Sequence, residues 1–574
     1  MKKNLFYKNN FEWVRSAPDP FILFEDGWFY LYSTEIKNGV LKGYRSKDFT
    51  AWEDLGIIYQ RRDKYWATGR FWAPRVIKYP KDGKFYLYCA CSGDGEIGLP
   101  EGTNLEKDSP LFASAIRERL HLTVLVSDMP CGPFREWTGK RRIEKFYHGE
   151  GLGVFDDEVT LTSGPIFDFA DSPAGWETNK EHFSENGTNI FAQLDPCPFI
   201  DEDGTMYLYF VRSRDLNDNK HKHGCWGIKM LDPVTPDYNT LAFLVQPGYY
   251  TVGGASAPNT IDDDIINEGV FMQSHTTLKA NGERIKKYYL TYTRCGMGCA
   301  YYSVCLALAD SPLGYAKDSQ EAKNGGFVKL PAEYGNPIHY IEAINDYDNH
   351  FISAPSYDLF EATGNAVFFR AGDENFLVSL CTVKIPEKKS RNFVIDRWLW
   401  DYNEDLGIDI PHSNGPTQAS LQPCPNVATG YKNIAGVATI SVNGEKIKGL
   451  NNGYIAIHPR DDGKVFYSAS EQTEVKVCFE EPRSICAVLV YNTWDGTRAF
   501  DGIEEILLEK GEGLRSEGRI PFPEEYYTFD GALRPGGAAI WLGSERRVKT
   551  IVLRFKKSPR KREMGIADIA VLGK

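Results

Sequence analysis

The chain has 574 residues, too many for one ordinary domain and enough to bury a large core. Its net charge of −12, from 78 acidic and 66 basic residues without long single-sign runs, excludes nucleic acid as the main partner, because phosphate binding needs clustered Lys and Arg. The 32 Tyr and 33 Phe against 7 Met favour strands over helices, since aromatic rings suit a pleated, half-buried surface, and an all-β protein is expected.

The opening MKKNLFYKNNFEWVR meets Asn, Lys and Glu before an apolar run of signal-peptide length forms, and no uninterrupted stretch of about 18 apolar residues follows. The expectation is a cytoplasmic protein that makes no membrane contact. Twelve cysteines are scattered, and Cys89/Cys91 and Cys295/Cys299 lack the partner spacing and nearby His of a zinc site. Free, largely buried thiols in a reducing compartment are expected.

From Phe24 the string FEDGWFYLYS reads as a hairpin: an apolar strand, a Gly turn and an aromatic strand. The pattern returns as YPKDGKFYLYCA from Tyr79, IDEDGTMYLYFV from Ile200, LKANGERIKKYYLTYT from Leu278 and LFEATGNAVFFRA from Leu359. A further strand follows each: GYRSKDFTAW from Gly43, TVLVSDMPCGPFREW from Thr123, WGIKMLD from Trp226, YYSVCLALADSPLGYAK from Tyr301 and FLVSLCTVKI from Phe376. Such units each leave an apolar face uncovered, and radial packing covers it, so residues 1–420 are expected to form a five-bladed β-propeller. Polar, Gly-rich stretches at 94–120 and 139–190 read as insertions around one mouth. Residues 386–429, rich in Pro, Asn and Asp, read as closing segment and linker. From about 430 the texture changes to alternating strands such as EVKVCFEEPRSICAVLVYN and VKTIVLRFK, which read as a β-sandwich, jelly-roll-like, over 430–574.

In a propeller the first strand of each blade lines the axis, so the start of each unit is where a side chain reaches the shared funnel. Unit one starts with Asp19-Pro20, unit three with Asp195-Pro196 and unit four with Glu268-Gly269. A lone Asp-Pro is an ordinary turn element. Its recurrence at one place in repeated units points to convergence, with Pro fixing the direction of the acid. Two acids sharing one substrate are what glycoside hydrolysis requires, and a third holds the proton donor protonated by like-charge repulsion.

These strings resemble glycoside hydrolase family 43, five-bladed propeller enzymes that release arabinofuranose or xylose. The likeness rests on APDPFI with Asp19, FWAPRV from Phe71, LDPCPFIDEDGTMYLYF with Asp195, NEGVF with Glu268, and SDMPCGPF and ADSPLGYAK, across roughly residues 10–420. The resemblance implies Asp19 as general base, Asp195 as pKa modulator and Glu268 as general acid. Val270 departs from the pattern, standing where many relatives have Pro. Glu342 in HYIEAIND also resembles an acid-bearing strand, but Glu268 is preferred because the YYLTYT and ADSPLG strands follow it. Trp72 resembles a wall of the sugar site, Arg294 is in place to reach a sugar hydroxyl or Asp195, and His350 resembles the family's residue near the axis. No metal and no required cofactor are assigned, although His350 is where a structural ion would sit. The C-terminal sandwich resembles carbohydrate-binding modules.

The expected activity is inverting, single-displacement hydrolysis of terminal α-L-arabinofuranosyl or β-D-xylosyl groups on plant-derived oligosaccharides. The alternatives are a catalytically silent glycan-binding propeller and a retaining propeller glycosidase on another furanoside. Oligomeric state is not legible in the sequence.

Overall fold

The computed structural model describes the chain except residues 1–3, 10–13, 15, 36–38, 63–66, 68, 93–119, 138–165, 167–191, 214–223, 246–248, 253–254, 259–266, 295–301, 316–324, 342, 346–350, 354–359, 386–387, 419, 511–512 and 528–532. The expected mouth insertions at 94–120 and 139–190 therefore lie outside the described residues, apart from Leu120 and Ile166.

Asp26 and Gly27 both take positive φ, 49° and 74°, while Glu25 pairs with Trp28. That is the two-residue hairpin whose twist matches its strands, and an Asp-Gly pair favours it. It opens blade 1, built from Phe21–Glu25, Trp28–Tyr32, Val40–Ser46 and Glu53–Gln60. Blade 2 runs Gly69–Lys78, Phe85–Ser92, His121–Ser127 and Arg135–Glu136. Blade 3 follows with Ala192–Ile200, Met206–Ser213, Gly224–Asp232 and Thr235–Val245. Blade 4 comprises Asn267–Leu278, Arg284–Arg294, Ser303–Ala309 and Val328–Lys329. Blade 5 comprises Phe360–Ala371, Glu374–Ile385, Lys388–Asn403 and Ile408–Ser413. All five are antiparallel meanders, and their first strands touch one another in a closed ring. This is the five-bladed β-propeller.

The apolar runs that marked each unit are buried on both faces. In blade 2, Tyr86, Tyr88 and Ala90 pack toward blade 3, while Leu87, Cys89 and Cys91 pack toward blade 1. The alternation of strand side chains thus feeds two separate interblade cores, which is why these strands are apolar at every position rather than every second one. Each fully buried Phe or Leu there contributes about 1.5–3 kcal/mol.

The fifth unit corrects the sequence reading. Most of this string, Phe360–Ala371, is one strand and not a hairpin: Gly364 and Asn365 make a bulge, and the chain reverses at Gly372-Asp373 instead. FLVSLCTVKI is accordingly the second strand of blade 5. Residues 388–413, expected in a linker, supply its third and fourth strands.

The same bulge explains how every blade begins. Pairing of the first strand slips between Trp72 and Arg75, Leu194 and Cys197, Glu268 and Phe271, and Gly364 and Val367. Each slip contains one left-handed residue: Ala73 (φ 46°), Asp195 (49°), Gly269 (62°) and Asn365 (45°). Asp19 (51°) holds that place ahead of blade 1. A non-Gly residue there costs roughly 1–2 kcal/mol, yet four of the five are non-Gly.

Ring closure comes from the lead-in to blade 1. Phe6–Tyr7 pairs with Gln422–Pro423, Asn9 Oδ1 accepts the Ile395 N–H (2.8 Å), and Ala17 N–H donates to Arg391 O (3.3 Å). Among the described residues the C-terminal domain has nine strands, hydrogen-bonded along one path that folds around an apolar core, in keeping with the expected β-sandwich. Gln472–Asn492 spans it, pairing with Ala538–Lys556 along its length and with Met564–Gly573 over its second half. A further apolar cluster, with Cys381 and Val394 from blade 5 and Leu489 and Ala570 from this domain, joins the two. No described helix is long and apolar enough to cross a membrane.

Candidate active site

Because the left-handed residues occupy the same place in each blade, the groups on and beside them come together across the ring. Asp19 receives three hydrogen bonds: from Arg391 Nη2 (2.6 Å) and Asn365 Nδ2 (3.0 Å) on Oδ1, and from Thr34 Oγ1 (2.7 Å) on Oδ2. The Thr34 hydroxyl in turn accepts the Ala73 N–H (2.9 Å). Pro20 removes the next backbone donor, so the acid is held from blades 1 and 5 with its direction fixed.

Asp195 Oδ2 accepts the Gly269 N–H at 2.8 Å, which ties blade 3 to blade 4 beside Glu268. Gly269 is required here on two counts. Its φ is left-handed, and a Cβ would sit 2.8 Å from Thr293 Oγ1 and 3.1 Å from Asn365 Cα. The next residue, Val270, is fully buried in the core between blades 3 and 4, so the departure from Pro keeps the packing.

Asp195 and Glu268 are half-buried. Burial raises the Asp195 carboxyl above its usual range, and the Asp19 charge raises it further. Glu268 is pushed up more strongly, first by burial and then by the charges of Asp195 and Asp19. A hydrogen bond with the Tyr302 hydroxyl and the charge of Arg391 oppose this. The outcome is a carboxyl that keeps its proton at neutral pH beside two other acids. Tyr302 reaches it because blade 5 has Gly364 at the contact: a Cβ there would come within 2.3 Å of the ring.

Of the other expected site residues, Trp72 stands immediately before the blade 2 kink, half-buried, with the Arg70 guanidinium 5.3 Å from its ring centroid. Arg294 closes the second strand of blade 4, next to the residue paired with Glu268, and its Nε donates to Ser303 Oγ (2.9 Å). His350 and the rival acid Glu342 lie outside the described residues. Among the described residues no cluster of His, Cys, Asp and Glu is arranged to hold a metal ion.

Sequence reasoning missed Arg75, Tyr302, Asn365 and Arg391. Arg75 gave a signal, a cation inside the otherwise apolar inner strand FWAPRV. Asn365 was hidden by the hairpin reading of Gly364-Asn365, and Arg391 by the assignment of its segment to a linker.

A five-bladed propeller with an acidic cluster defines the class of protein. Residues 14–146 match the family model described as glycosyl hydrolases family 43. The resemblance read from the motifs is therefore borne out. Similar solved structures include a thermostable family-43 glycoside hydrolase, 22% identical over 73% of this chain and 99% of that one, with a TM-score of 0.44. An endo-arabinase from Bacteroides thetaiotaomicron is 16% identical over 70% and 99% (TM-score 0.39). A family 43 arabinoxylan arabinofuranohydrolase from Bacillus subtilis is 16% identical over 97% and 95% (TM-score 0.38). A comparison with curated proteins gives no match.

Proposed function

We propose that the protein hydrolyses terminal α-L-arabinofuranosyl or β-D-xylosyl groups from oligosaccharides by inversion, with Asp19 as general base, Glu268 as general acid and Asp195 as modulator. The observation that carries the reading is the division of labour among the carboxyls. Asp19 is gripped by three donors, which suits a base that must hold one water in line. Glu268, raised by burial and two neighbouring acids, suits proton donation to a departing sugar oxygen. Asp195 sits between these roles, acting on Glu268 through charge and on its backbone through Gly269.

Trp72 is assigned as an apolar wall for the sugar ring, Arg294 as a hydroxyl ligand and His350 as a substrate-side group near the axis. A reducing, cytoplasmic setting goes with this reading, supported by the ten described cysteines, all free. Inversion requires base and acid roughly 6.5–9.5 Å apart, leaving room for a water. A panel of nitrophenyl glycosides identifies the sugar, and proton NMR of the first-formed anomer identifies the stereochemistry. Retained configuration, or no turnover of any pentoside, overturns the proposal.

A further inference from the structure

Arg75 is the bulkiest of the described side chains that the fold closes off from solvent. It stands on the inner strand of blade 2, and Nη1 donates to Pro20 O at 3.3 Å while Nη2 donates to Asn365 Oδ1. Nε meets no acceptor among the described residues, and the guanidinium lies 5.6 Å from the Phe21 ring centroid. No described carboxylate forms a direct ion pair with it. A buried cation held by two neutral acceptors is expensive, and a well-packed apolar residue in such a slot is often neutral or better for stability. Packing alone therefore does not account for it.

Its surroundings do. Asn365 takes the left-handed kink of blade 5, and its N–H is tied to Thr293 Oγ1 (2.8 Å). Because Asn365 Oδ1 accepts from Arg75, the amide NH2 must face the other way, onto Asp19 Oδ1 at 3.0 Å. The flipped amide would set NH2 against the guanidinium and leave Asp19 without that donor. The charged groups acting on Arg75 are Asp195 from blade 3 and Asp19 from blade 1. Its other titratable neighbours, Cys197 of blade 3 and Tyr302 of blade 4, are both raised by burial and stay neutral. A second described cation, Arg391, sits on Asp19.

We infer that Arg75 is a positioning residue for the acidic site: its guanidinium aims the Asn365 amide at Asp19, and its buried charge, with that of Arg391, balances the carboxylates of Asp19 and Asp195 beside Glu268. The inference rests on the roles proposed above for Asp19 and Glu268. It makes blade 2, whose described residues contribute no acid to the cluster, the electrostatic keel of the site.

The test uses the full chain with Arg75→Met, Arg75→Lys and Asn365→Ala, read in two ways. The first is kcat/KM against pH on an aryl pentoside. The second is carboxyl titration by infrared difference spectroscopy, which needs no turnover and so remains informative should the protein prove inactive on pentosides. An opposite charge within about 4–6 Å moves a carboxyl by about 1–3 pH units, and one that makes no direct ion pair falls toward the low end of that span. Arg75→Met should shift the acidic limb, and the lowest carboxyl titrations, upward by about that much. Arg75→Lys should restore the limb but not the full rate, since a point charge cannot reproduce the fork that orients Asn365. Asn365→Ala keeps the cation but takes one donor from Asp19, so it should lower kcat and move the acidic limb upward by less than Arg75→Met does, which also covers failure of Arg75→Met to fold. An unmoved limb and unmoved carboxyl titration in folded Arg75→Met overturn the charge role, and wild-type kcat in Asn365→Ala overturns the orienting role.

Discussion

Replacing Asp195 with Asn isolates one charge from the site. The Asn side-chain oxygen still accepts the Gly269 N–H now bound at 2.8 Å, so the backbone beside Glu268 stays anchored. What is lost is the negative neighbour that ranks second, after burial, among the causes that push Glu268 up to about 8. Burial and the Asp19 charge remain, so Glu268 does not return to an ordinary carboxyl; removing one like charge at this range lowers it by about one unit or somewhat more. As the proposed general acid Glu268 would work in its protonated form, so activity should be lost as pH rises through its pKa. A lower pKa brings that loss to lower pH. The alkaline limb of kcat/KM should therefore move down by about one unit, which at pH 8 alone costs about fivefold and approaches tenfold only well above pH 8, where the full unit is worth about 1.4 kcal/mol. The assay is the pH profile of wild type and Asp195→Asn on a phenyl glycoside, whose poor leaving group keeps the acid kinetically relevant. An alkaline limb that stays in place or moves up in a folded variant would refute the coupling between Asp195 and Glu268.

Glu268→Gln should be crippling on natural oligosaccharides but far milder on a dinitrophenyl glycoside, where general acid help of roughly 10²–10⁴-fold is largely dispensable; equal losses on both would remove Glu268 from the acid role. Asp19→Asn should fail on both substrates, because water must be activated whatever departs, and recovery by added azide or formate is the confirming measurement. Gly364→Ala places a methyl within 2.3 Å of the Tyr302 ring, so overpacking of roughly 1–3 kcal/mol should appear as a lower melting temperature, together with a displaced alkaline limb. In the C-terminal domain, burial pushes Asp568 up to about 8 while the Gly453 N–H (3.0 Å) holds it in place. The folded state then binds a proton that the unfolded state has already released between about pH 4 and 8. Stability should fall as pH rises through that window, by up to about 1.4 kcal/mol per unit. Asp568→Asn should flatten the slope of melting temperature against pH, and identical slopes would count against it.

Much of the propeller was legible because its signals are local. Asp26-Gly27, Asp82-Gly83, Asp203-Gly204 and Asn281-Gly282 are turn pairs placed between apolar strands, and each tip glycine has positive φ. The acids were legible through Asp-Pro and Glu-Gly at unit starts. Blade 5 was misread because Gly364-Asn365 carries the same residue types as a hairpin tip but serves a bulge, and local chemistry does not separate the two uses. Its third strand, with Arg391, followed an apparent unit already thought complete.

Once the five kinks are aligned, a pattern emerges that no single motif displays. Asp19, Ala73, Asp195, Gly269 and Asn365 share one backbone conformation at one depth, yet their side chains do different work. Two are acids and one is an amide that serves an acid. One is a glycine that lets Glu268 take the adjacent position, and one is an alanine whose N–H fixes the hydroxyl that holds Asp19. The kink is thus a property of the blade, and the chemistry is chosen blade by blade on top of it. That explains why left-handed strain is tolerated at four non-glycine positions: the bulge re-aims a side chain that the regular pleat would bury between blades, and the interblade cores on either side hold it there. It also explains why Glu268, one residue upstream of its blade's kink, needs Tyr302 to steady it, whereas the acids on the kinks themselves are held by main-chain or polar partners from the neighbouring blade.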